Sequence, residues 1–303
     1  MSEVVCAKGL TKNYPGRMAV DRIDFSIRAG ECFGILGPNG AGKSTTLRMV
    51  IGLTQLDGGT LDVFGQPMYP EHPTTPGKMG VVPQEDNLDP DLTVRENLLV
   101  YGRYFGLSDL EIGQKMDHLL EFAQLEDRQN AMVRELSGGM MRRLVIARSL
   151  IGSPELIVLD EPTTGLDPQA RHLIWQRLRT LREQGVTLLL TTHYMEEAAQ
   201  LCDRLLILNR GQILDQGSPV ELIRRHVEPE VVELRADGAL PELQEFDHLP
   251  GRVELIGDTL FFYSSDAHSI LNNFRDRHDL VTLMRPANLE DVFLKLTGRE
   301  LND

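Results

Sequence analysis

The stretch that decides the fold is GPNGAGKS, residues 37–44. It matches the phosphate-binding pattern G-x-x-x-x-G-K-[ST], and it follows a short apolar run, residues 32–36, that predicts a buried strand. Residues 43–52 predict the helix that must follow such a loop. A glycine loop that arises by chance would lack this context of strand, loop and helix. The sequence therefore predicts an α/β fold with a parallel sheet that binds a nucleoside triphosphate.

Glycines in this loop let the backbone curl so that its N–H groups point at phosphate oxygens, and the next helix adds its positive N-terminal end. Lys43 supplies a cation to the β- and γ-phosphates, and the Ser44 hydroxyl can bind Mg²⁺. The predicted cofactors are thus ATP and Mg²⁺. The predicted nucleotide contacts in this loop are Gly37, Pro38, Asn39, Gly40, Ala41, Gly42, Lys43, Ser44 and Thr45.

A second apolar run, residues 156–159, ends in Asp160 and Glu161. A buried strand delivers both carboxylates at its carboxyl end, where the ligand sites of α/β folds lie. We predict that Asp160 holds Mg²⁺ through water and that Glu161 polarises the attacking water, because phosphoryl transfer needs a positioned nucleophile and charge neutralisation. The alternative is a capped turn, which would leave the neighbouring phosphate loop without a catalytic carboxylate.

Three further side chains are predicted to complete the site. His193 follows an apolar strand and is expected to contact the γ-phosphate, although a lone histidine there can be structural. Gln84 ends another strand and is expected to reach Mg²⁺ or the water, or else to lie in a solvated loop. Tyr14 precedes a turn, where its ring can stack on adenine or belong simply to a strand. The candidate catalytic residues are Glu161, His193, Gln84 and Lys43, and the candidate metal ligands are Ser44, Gln84 and Asp160.

The run LSGGM, residues 136–140, opens another predicted helix. A helix N-terminus attracts anions, so Ser137, Gly138 and Gly139 form a second candidate phosphate site. One chain has one γ-phosphate, which the glycine loop already holds, and the second site is therefore predicted to serve the nucleotide of another chain. We expect a head-to-tail homodimer with two ATP molecules at the seam, where Asp167 would also lie.

Composition limits the class of protein. The chain has 303 residues, 41% hydrophobic and 25% charged, which suits one large soluble domain plus a small one. Its net charge of −14 argues against a nucleic-acid partner, since duplex binders usually have a basic face. No apolar run approaches the roughly 20 residues of a membrane span, and the N-terminus lacks the features of a signal peptide. We therefore expect a cytoplasmic protein whose membrane contact comes only through a partner.

The apolar pattern divides the chain near residue 226. Residues 1–30 predict antiparallel strands, and residues 90–150 predict a helical insert in the parallel-sheet core. Short strands and two helices follow, enough for a small α+β domain. The predicted domains are an ATPase (nucleotide-binding) domain, residues 1–226, and an accessory domain, residues 227–303.

Together these motifs make residues 1 to about 225 resemble the nucleotide-binding subunits of ABC transporters. The drug-resistance and nodulation-factor export branch, NodI-like ATPases in particular, is more similar still. This closer resemblance rests on runs such as VVPQ (81–84), GRYFG (102–106) and NLEDVFLKLTGRE (288–300). It implies an ABC-type P-loop NTPase core with an antiparallel β subdomain and a helical subdomain, plus the small C-terminal α+β domain.

The resemblance also implies an ATP-hydrolysing subunit that drives a separate membrane permease of the ABC-2 export type. The chain would be peripheral at the cytoplasmic face of the inner membrane, with residues 86–106 lining the groove that receives the permease near Gln84. Met140 departs from the wider family, where most members carry Gln, but Met is common in this branch. The transported substrate does not transfer with the resemblance, because NodI-like sequences also occur in bacteria that make no nodulation factor.

Two alternatives stand beside this function. A soluble ABC-type ATPase of translation or DNA repair usually carries two cassettes or a long coiled-coil insertion, and this chain shows neither. A catalytically inactive regulatory cassette would lack one of Lys43, Glu161 and His193, which are all intact. Copurification with a multi-span membrane protein would discriminate among the three.

Overall fold

The computed structural model describes residues 2–68, 77–236, 246, 251–275, 277 and 280–298. Contacts divide the chain into two compact units, Met1–Gln216 and Gly217–Asp303. The division falls before helix α7 (Pro219–His226), whose residues the sequence analysis had assigned to the ATPase domain without predicting the helix. The functional boundary at residues 226 and 227 stays a prediction.

The first unit begins with an antiparallel sheet and continues with a parallel one. Its strands are β1 (Glu3–Tyr14), β2 (Arg17–Arg28), β3 (Cys32–Leu36), β4 (Gly58–Val63), β5 (Gln66–Pro67), β6 (Met79–Val82), β7 (Leu156–Asp160), β8 (Thr187–Thr192), β9 (Arg204–Asn209) and β10 (Gln212–Gly217). Its helices are α1 (Lys43–Val50), α2 (Val94–Tyr104), α3 (Asp109–Ala123), α4 (Gly138–Ser149), α5 (Pro168–Glu183) and α6 (Met195–Leu201).

The parallel sheet brings the carboxyl ends of its central strands to one edge. Among the described residues the strand order is β10-β9-β3-β8-β7-β6, and β3 pairs in parallel with both β8 and β9. The antiparallel sheet has the order β2-β1-β4-β5, and one cluster of buried side chains packs between the two sheets, for example Val5, Ile27, Phe33 and Leu206. The predicted α/β core with an antiparallel subdomain is confirmed.

The helical subdomain differs in detail from the sequence prediction. The sequence indicated a helical insert over residues 90–150, within which α3 ends at Ala123 because Gln124 adopts a left-handed conformation and closes the helix. Capping boxes begin α2 at Thr93 and α3 at Ser108. In the described part of the chain, no helix is both long and apolar enough to cross a membrane.

The second unit is a small α+β unit with its own core. Its described strands are β11 (Glu230–Ala236), β12 (Arg252–Ile256), β13 (Thr259–Ser264) and β14 (Leu280–Pro286). They pair antiparallel in the order β12-β13-β11-β14. Buried side chains such as Leu234, Phe262 and Ile270 form that core. Besides α7, its described helices are α8 (Ala267–Asn273) and α9 (Leu289–Thr297).

Candidate active site

The phosphate loop joins the buried strand β3 to helix α1, in the order that the sequence predicted. Gly42 has a φ of 110°, and a Cβ there would lie 2.3 Å from the carbonyl oxygen of Ala19. At Gly37 a Cβ would lie 2.3 Å from the carbonyl oxygen of Leu208. Because backbone atoms cannot yield at such distances, both positions require glycine.

The side chain of Lys43 is buried at the base of this loop. Its Nζ donates hydrogen bonds to the carbonyl oxygens of Gly37, at 2.9 Å, and Pro38, at 3.1 Å. The same atom lies 3.2 Å from Oε1 of Glu161. These contacts hold the ammonium group against the loop, where a phosphate bound by the loop N–H groups would meet it.

Oxygen ligands meet beside the lysine. The Ser44 hydroxyl donates to Oδ1 of Asp160 at 3.2 Å, and the Thr191 hydroxyl donates to the same oxygen at 2.5 Å. The sequence analysis missed Thr191, although its place at the end of β8, beside β7, could have indicated it. A hydroxyl and a carboxylate at this spacing suit Mg²⁺, which prefers oxygen ligands.

Glu161 follows directly after β7 and has a left-handed backbone, with a φ of 46°. Such a conformation costs a non-glycine residue about 1 to 3 kcal/mol, so the surrounding contacts must hold it in place. Burial alone would raise the pKa of the carboxyl group, but the Lys43 ammonium and the His193 ring more than offset this, and its pKa is lowered. The group is therefore ionised at neutral pH.

Gln84 and His193 flank this carboxylate, as the sequence predicted for residues that share a site. The Gln84 Nε2 donates to Oε2 of Glu161 at 3.5 Å, and the His193 Nδ1 lies 3.2 Å from the same oxygen. The Thr164 hydroxyl also donates to it, at 3.1 Å. The Glu161 carboxylate is thus surrounded by four side chains, those of Lys43, Gln84, Thr164 and His193.

Six of the nine predicted contacts in the phosphate loop line one cleft, together with Tyr14. The lining residues are Tyr14, Arg17, Ala19, Asn39, Gly40, Gly42, Lys43, Ser44, Thr45, Gln84 and Glu161. Gly37 and Pro38 lie outside this lining, but their carbonyl oxygens accept hydrogen bonds from Lys43. Ala41 is buried.

Two residues of the cleft lining, Arg17 and Ala19, were not anticipated by the sequence analysis. A two-residue turn joins β1 to β2, so Arg17 pairs with Tyr14 across the hairpin. The Arg17 guanidinium donates a hydrogen bond to the carbonyl oxygen of Gly40. The cation therefore lies over the phosphate loop, on the side where Tyr14 borders the cleft.

The remaining predicted residues lie outside the lining of this cleft. Ser137 caps α4 by accepting a hydrogen bond from the N–H of Met140 at 3.3 Å. Asp167 caps α5 in the same way, with Ala170 at 2.9 Å. A Cβ on Gly138 would meet no other atom within 4 Å, and one on Gly139 would meet only the Cβ of Ala170 at 3.1 Å. The N-terminus of α4 is thus open on the side of Gly138.

Two protein families match parts of this chain. Residues 20–164 match the family described as ABC transporter, and residues 239–298 match the C-terminal domain of the nodulation factor export protein NodI. Solved cassettes share the fold. A dimeric ATP-binding cassette in a post-hydrolysis state with ADP and phosphate is 30% identical with a TM-score of 0.65, and the match covers 71% of this chain and 98% of that one. A Clostridium perfringens cassette that is part of an ABC transporter complex is 27% identical with a TM-score of 0.69, and the match covers 74% of this chain and 92% of that one.

Relatives match over nearly the whole chain. The Nod factor export ATP-binding protein I of Cupriavidus metallidurans is 50% identical over 100% of both chains. The protein of that name from Ralstonia nicotianae is 52% identical, over 99% of this chain and 95% of the relative. The protein of that name from Mesorhizobium japonicum is 51% identical, over 97% of this chain and 87% of the relative.

The chain belongs to the ABC transporter ATP-binding family, in the branch of Nod factor export ATP-binding protein I. The class that the sequence predicted, an ATP-hydrolysing subunit of an export transporter, is confirmed. The predicted fold is confirmed as well.

Proposed function

We propose that two copies of this chain close head to tail around two ATP molecules, and that hydrolysis activated by Glu161 drives a separate export permease of the ABC-2 type. The observation that carries the proposal is the arrangement of the cleft. Lys43, Ser44 and Glu161 line it, whereas Ser137 lies outside its lining at the N-terminus of another helix. One chain therefore supplies one half of each nucleotide site.

Lys43 binds the β- and γ-phosphates in this proposal. Its ammonium group now contacts two loop carbonyls and Glu161. Phosphate oxygens are charged acceptors and form stronger hydrogen bonds than carbonyls do. ATP would thus draw Lys43 toward the phosphates and release Glu161 to act on water.

The residues around Asp160 fit a magnesium ion. Ser44, Asp160 and Gln84 offer the hydroxyl, carboxylate and amide oxygens that Mg²⁺ accepts. Among the described residues no group of three or more His, Cys, Asp or Glu side chains could hold a metal, so the ion would take its remaining ligands from phosphate and water. When bound, Mg²⁺ supplies positive charge that neutralises the phosphates.

Glu161 is the proposed general base. It is ionised because its pKa is lowered, and it can accept a hydrogen bond from a water molecule. That water attacks the γ-phosphorus, the bond to the oxygen bridging the β- and γ-phosphates breaks, and ADP and inorganic phosphate leave. Gln84 and His193, on either side of the carboxylate, would hold the water and the γ-phosphate in line.

Ser137, Gly138 and Gly139 are proposed to bind the γ-phosphate of the partner chain. Support comes from the open N-terminus of α4, where backbone N–H groups and the helix dipole favour an anion. Asp167 would lie at the same seam. Tyr14 would stack on the adenine, since its ring is 38% exposed at the edge of the cleft.

The place of the chain in the cell follows from the permease. We propose a peripheral location at the cytoplasmic face of the inner membrane, with no nucleic-acid partner, and an accessory domain at residues 227–303. The names of the relatives support a role in export. The cargo that those names state is the cargo of the relatives and not of this chain. Cargo contacts would belong to the permease.

Glu161→Gln tests the catalytic role in the purified full chain. The amide keeps the size of the side chain but cannot take a proton, so steady-state hydrolysis should fall about 10²- to 10⁴-fold. ATP binding should persist, and a dimer with trapped ATP should elute earlier in size-exclusion chromatography. The matched control is Glu155→Gln, an exposed carboxylate just before β7 that pairs with the exposed Lys78. Near-normal hydrolysis in Glu161→Gln would remove this residue from the role.

Copurification tests the permease. An affinity-tagged chain extracted from membranes in mild detergent should bring down a multi-span membrane protein in fixed ratio. Recovery of ribosomes or DNA-repair proteins instead would favour the soluble alternative.

A further inference from the structure

Arg142 lies in the second turn of α4, and its side chain is buried. One arm of its guanidinium group, Nη1, donates hydrogen bonds to the carbonyl oxygens of Pro83 at 2.5 Å and Gln84 at 3.3 Å. The same nitrogen lies 3.3 Å from Oδ1 of Asp86. This arm therefore holds the loop that carries Gln84, directly after β6.

The other donors of Arg142 hold the turn that carries Glu161. Nη2 donates to the carbonyl oxygens of Asp160 at 3.1 Å and Glu161 at 3.3 Å. Nε donates to the carbonyl oxygen of Pro162 at 2.8 Å. These three carbonyls enclose the residue with the left-handed backbone, which needs outside contacts to stay in that conformation.

Only arginine can make this set of contacts. A guanidinium group has five N–H donors in one rigid plane, which here face two segments at once. A lysine at the same position would keep the positive charge but offers three donors on a single flexible atom. It could hold one segment but not both.

We infer that Arg142 is a positioning residue that sets the distance between the Gln84 amide and the Glu161 carboxylate and links both to the helix that Ser137 caps. The inference rests on the proposed roles of these residues. Because α4 carries both Ser137 and Arg142, a shift of this helix on contact with the partner's nucleotide moves the two loops together. Each chain contributes Gln84 and Glu161 to one nucleotide site and Ser137 to the other. Binding of nucleotide at the second site would thereby affect hydrolysis at the first.

The test compares Arg142→Lys with Arg143→Lys in the full-length chain. Arg143 lies next along the same helix and donates to the carbonyl oxygen of Ala123 at 2.7 Å. In Arg142→Lys we expect kcat to fall about 10- to 100-fold, since a misplacement of about 1 Å at a reacting group has effects of this order. The Kd for ATP, measured by calorimetry, should change less than about twofold, because Arg142 touches neither the phosphate loop nor Tyr14. Arg143→Lys should keep both values.

A double-mutant cycle with Gln84→Ala separates positioning from a general loss of structure. If Arg142 acts through Gln84 and Glu161, the loss of kcat in the double variant should be smaller than the product of the two single losses. Two losses that multiply would overturn the inference, as would an unchanged kcat in Arg142→Lys or an equal loss in ATP affinity. Glu161→Gln, assayed in parallel, tells the two proposals apart: if it stays active, the proposed function fails whatever Arg142 does.

Asp86→Asn covers the case in which Arg142→Lys does not fold. It leaves Arg142 in place and removes the negative charge from one of its acceptors. We expect a smaller fall in kcat with an unchanged Kd for ATP. An unchanged kcat in Asp86→Asn would overturn the inference when the lysine variant cannot be purified.

Discussion

The Nζ atom of Lys43 lies 3.2 Å from Oε1 of Glu161, and both side chains are buried. The residue that should bind phosphate thus contacts the residue that should activate water. Lys43→Met leaves this carboxylate without its nearest cation, and breaking such a buried pair costs about 3 kcal/mol. We expect urea denaturation without nucleotide to show this loss, and Lys43→Met/Glu161→Gln to recover most of it. If the double variant is no more stable than Lys43→Met, the pair does not stabilise the site.

Mixing two inactive variants tests whether Ser137 acts on the partner's nucleotide. A Lys43→Ala chain and a Ser137→Arg chain should each lack activity. A head-to-tail mixed dimer places both changes at one seam and leaves the other seam intact. Some ATPase activity should therefore return on mixing, measured as phosphate release. If Ser137 acted within its own chain, both seams would be damaged and the mixture would stay inactive.

Arg17→Ala tests the cation over the phosphate loop. Hydrogen bonds to charged groups contribute about 1.5 to 3 kcal/mol, so the Kd for ATP should rise about tenfold or more. The matched control is Arg22→Ala, on the same strand β2, whose exposed side chain pairs with Asp21. Equal ATP affinity in both variants, by calorimetry, would exclude a direct contact from Arg17.

The contribution of Glu197 to folding stability should change with pH in the direction opposite to that of Glu161. It is fully buried on α6, where Thr163 and Trp175 donate to its Oε1 at 2.7 Å and 3.1 Å. Burial raises its pKa from the ordinary value of 4.5, so the folded chain holds this proton more tightly than the unfolded chain. Stability from this group is full below pH 4.5 and is lost as pH rises toward the folded-state pKa.

The measurement is the free energy of unfolding of wild type and Glu197→Gln across pH. Glutamine does not titrate, so wild type should lose stability relative to the variant as pH rises above the ordinary glutamate pKa. Taking the difference between the two proteins removes the contribution of Glu161, whose lowered pKa acts in the other direction. Two parallel stability curves would show that Glu197 keeps an ordinary pKa.

The sequence predicted the structural elements that depend on a local pattern of residues. The phosphate loop, the strand that ends at Asp160 and the N-terminal hairpin all carry a signal within a few residues, and each forms as expected. Helix α7 was missed although its signal was present. Ser218 and Glu221 form a capping box there, with Pro219 at the first helical position.

Other features depend on contacts between distant segments, and no local pattern reports them. Strand β4 begins with two glycines, and its pairing with β1, rather than its own composition, makes it a strand. Arg17 lies over Gly40 only because the hairpin packs beside the phosphate loop. Arg142 likewise joins two loops that lie about 60 and 20 residues away in sequence.

The hairpin between β1 and β2 holds two parts of the cleft on one short turn. Tyr14 and Arg17 face each other across Pro15 and Gly16, so the aromatic wall and the cation over the phosphate loop cannot be moved separately. An insertion or deletion in this turn would displace both at once. Because Tyr14 is proposed to stack on the adenine, a variant designed to accept an enlarged purine should keep the turn at its present length and alter the Tyr14 side chain alone.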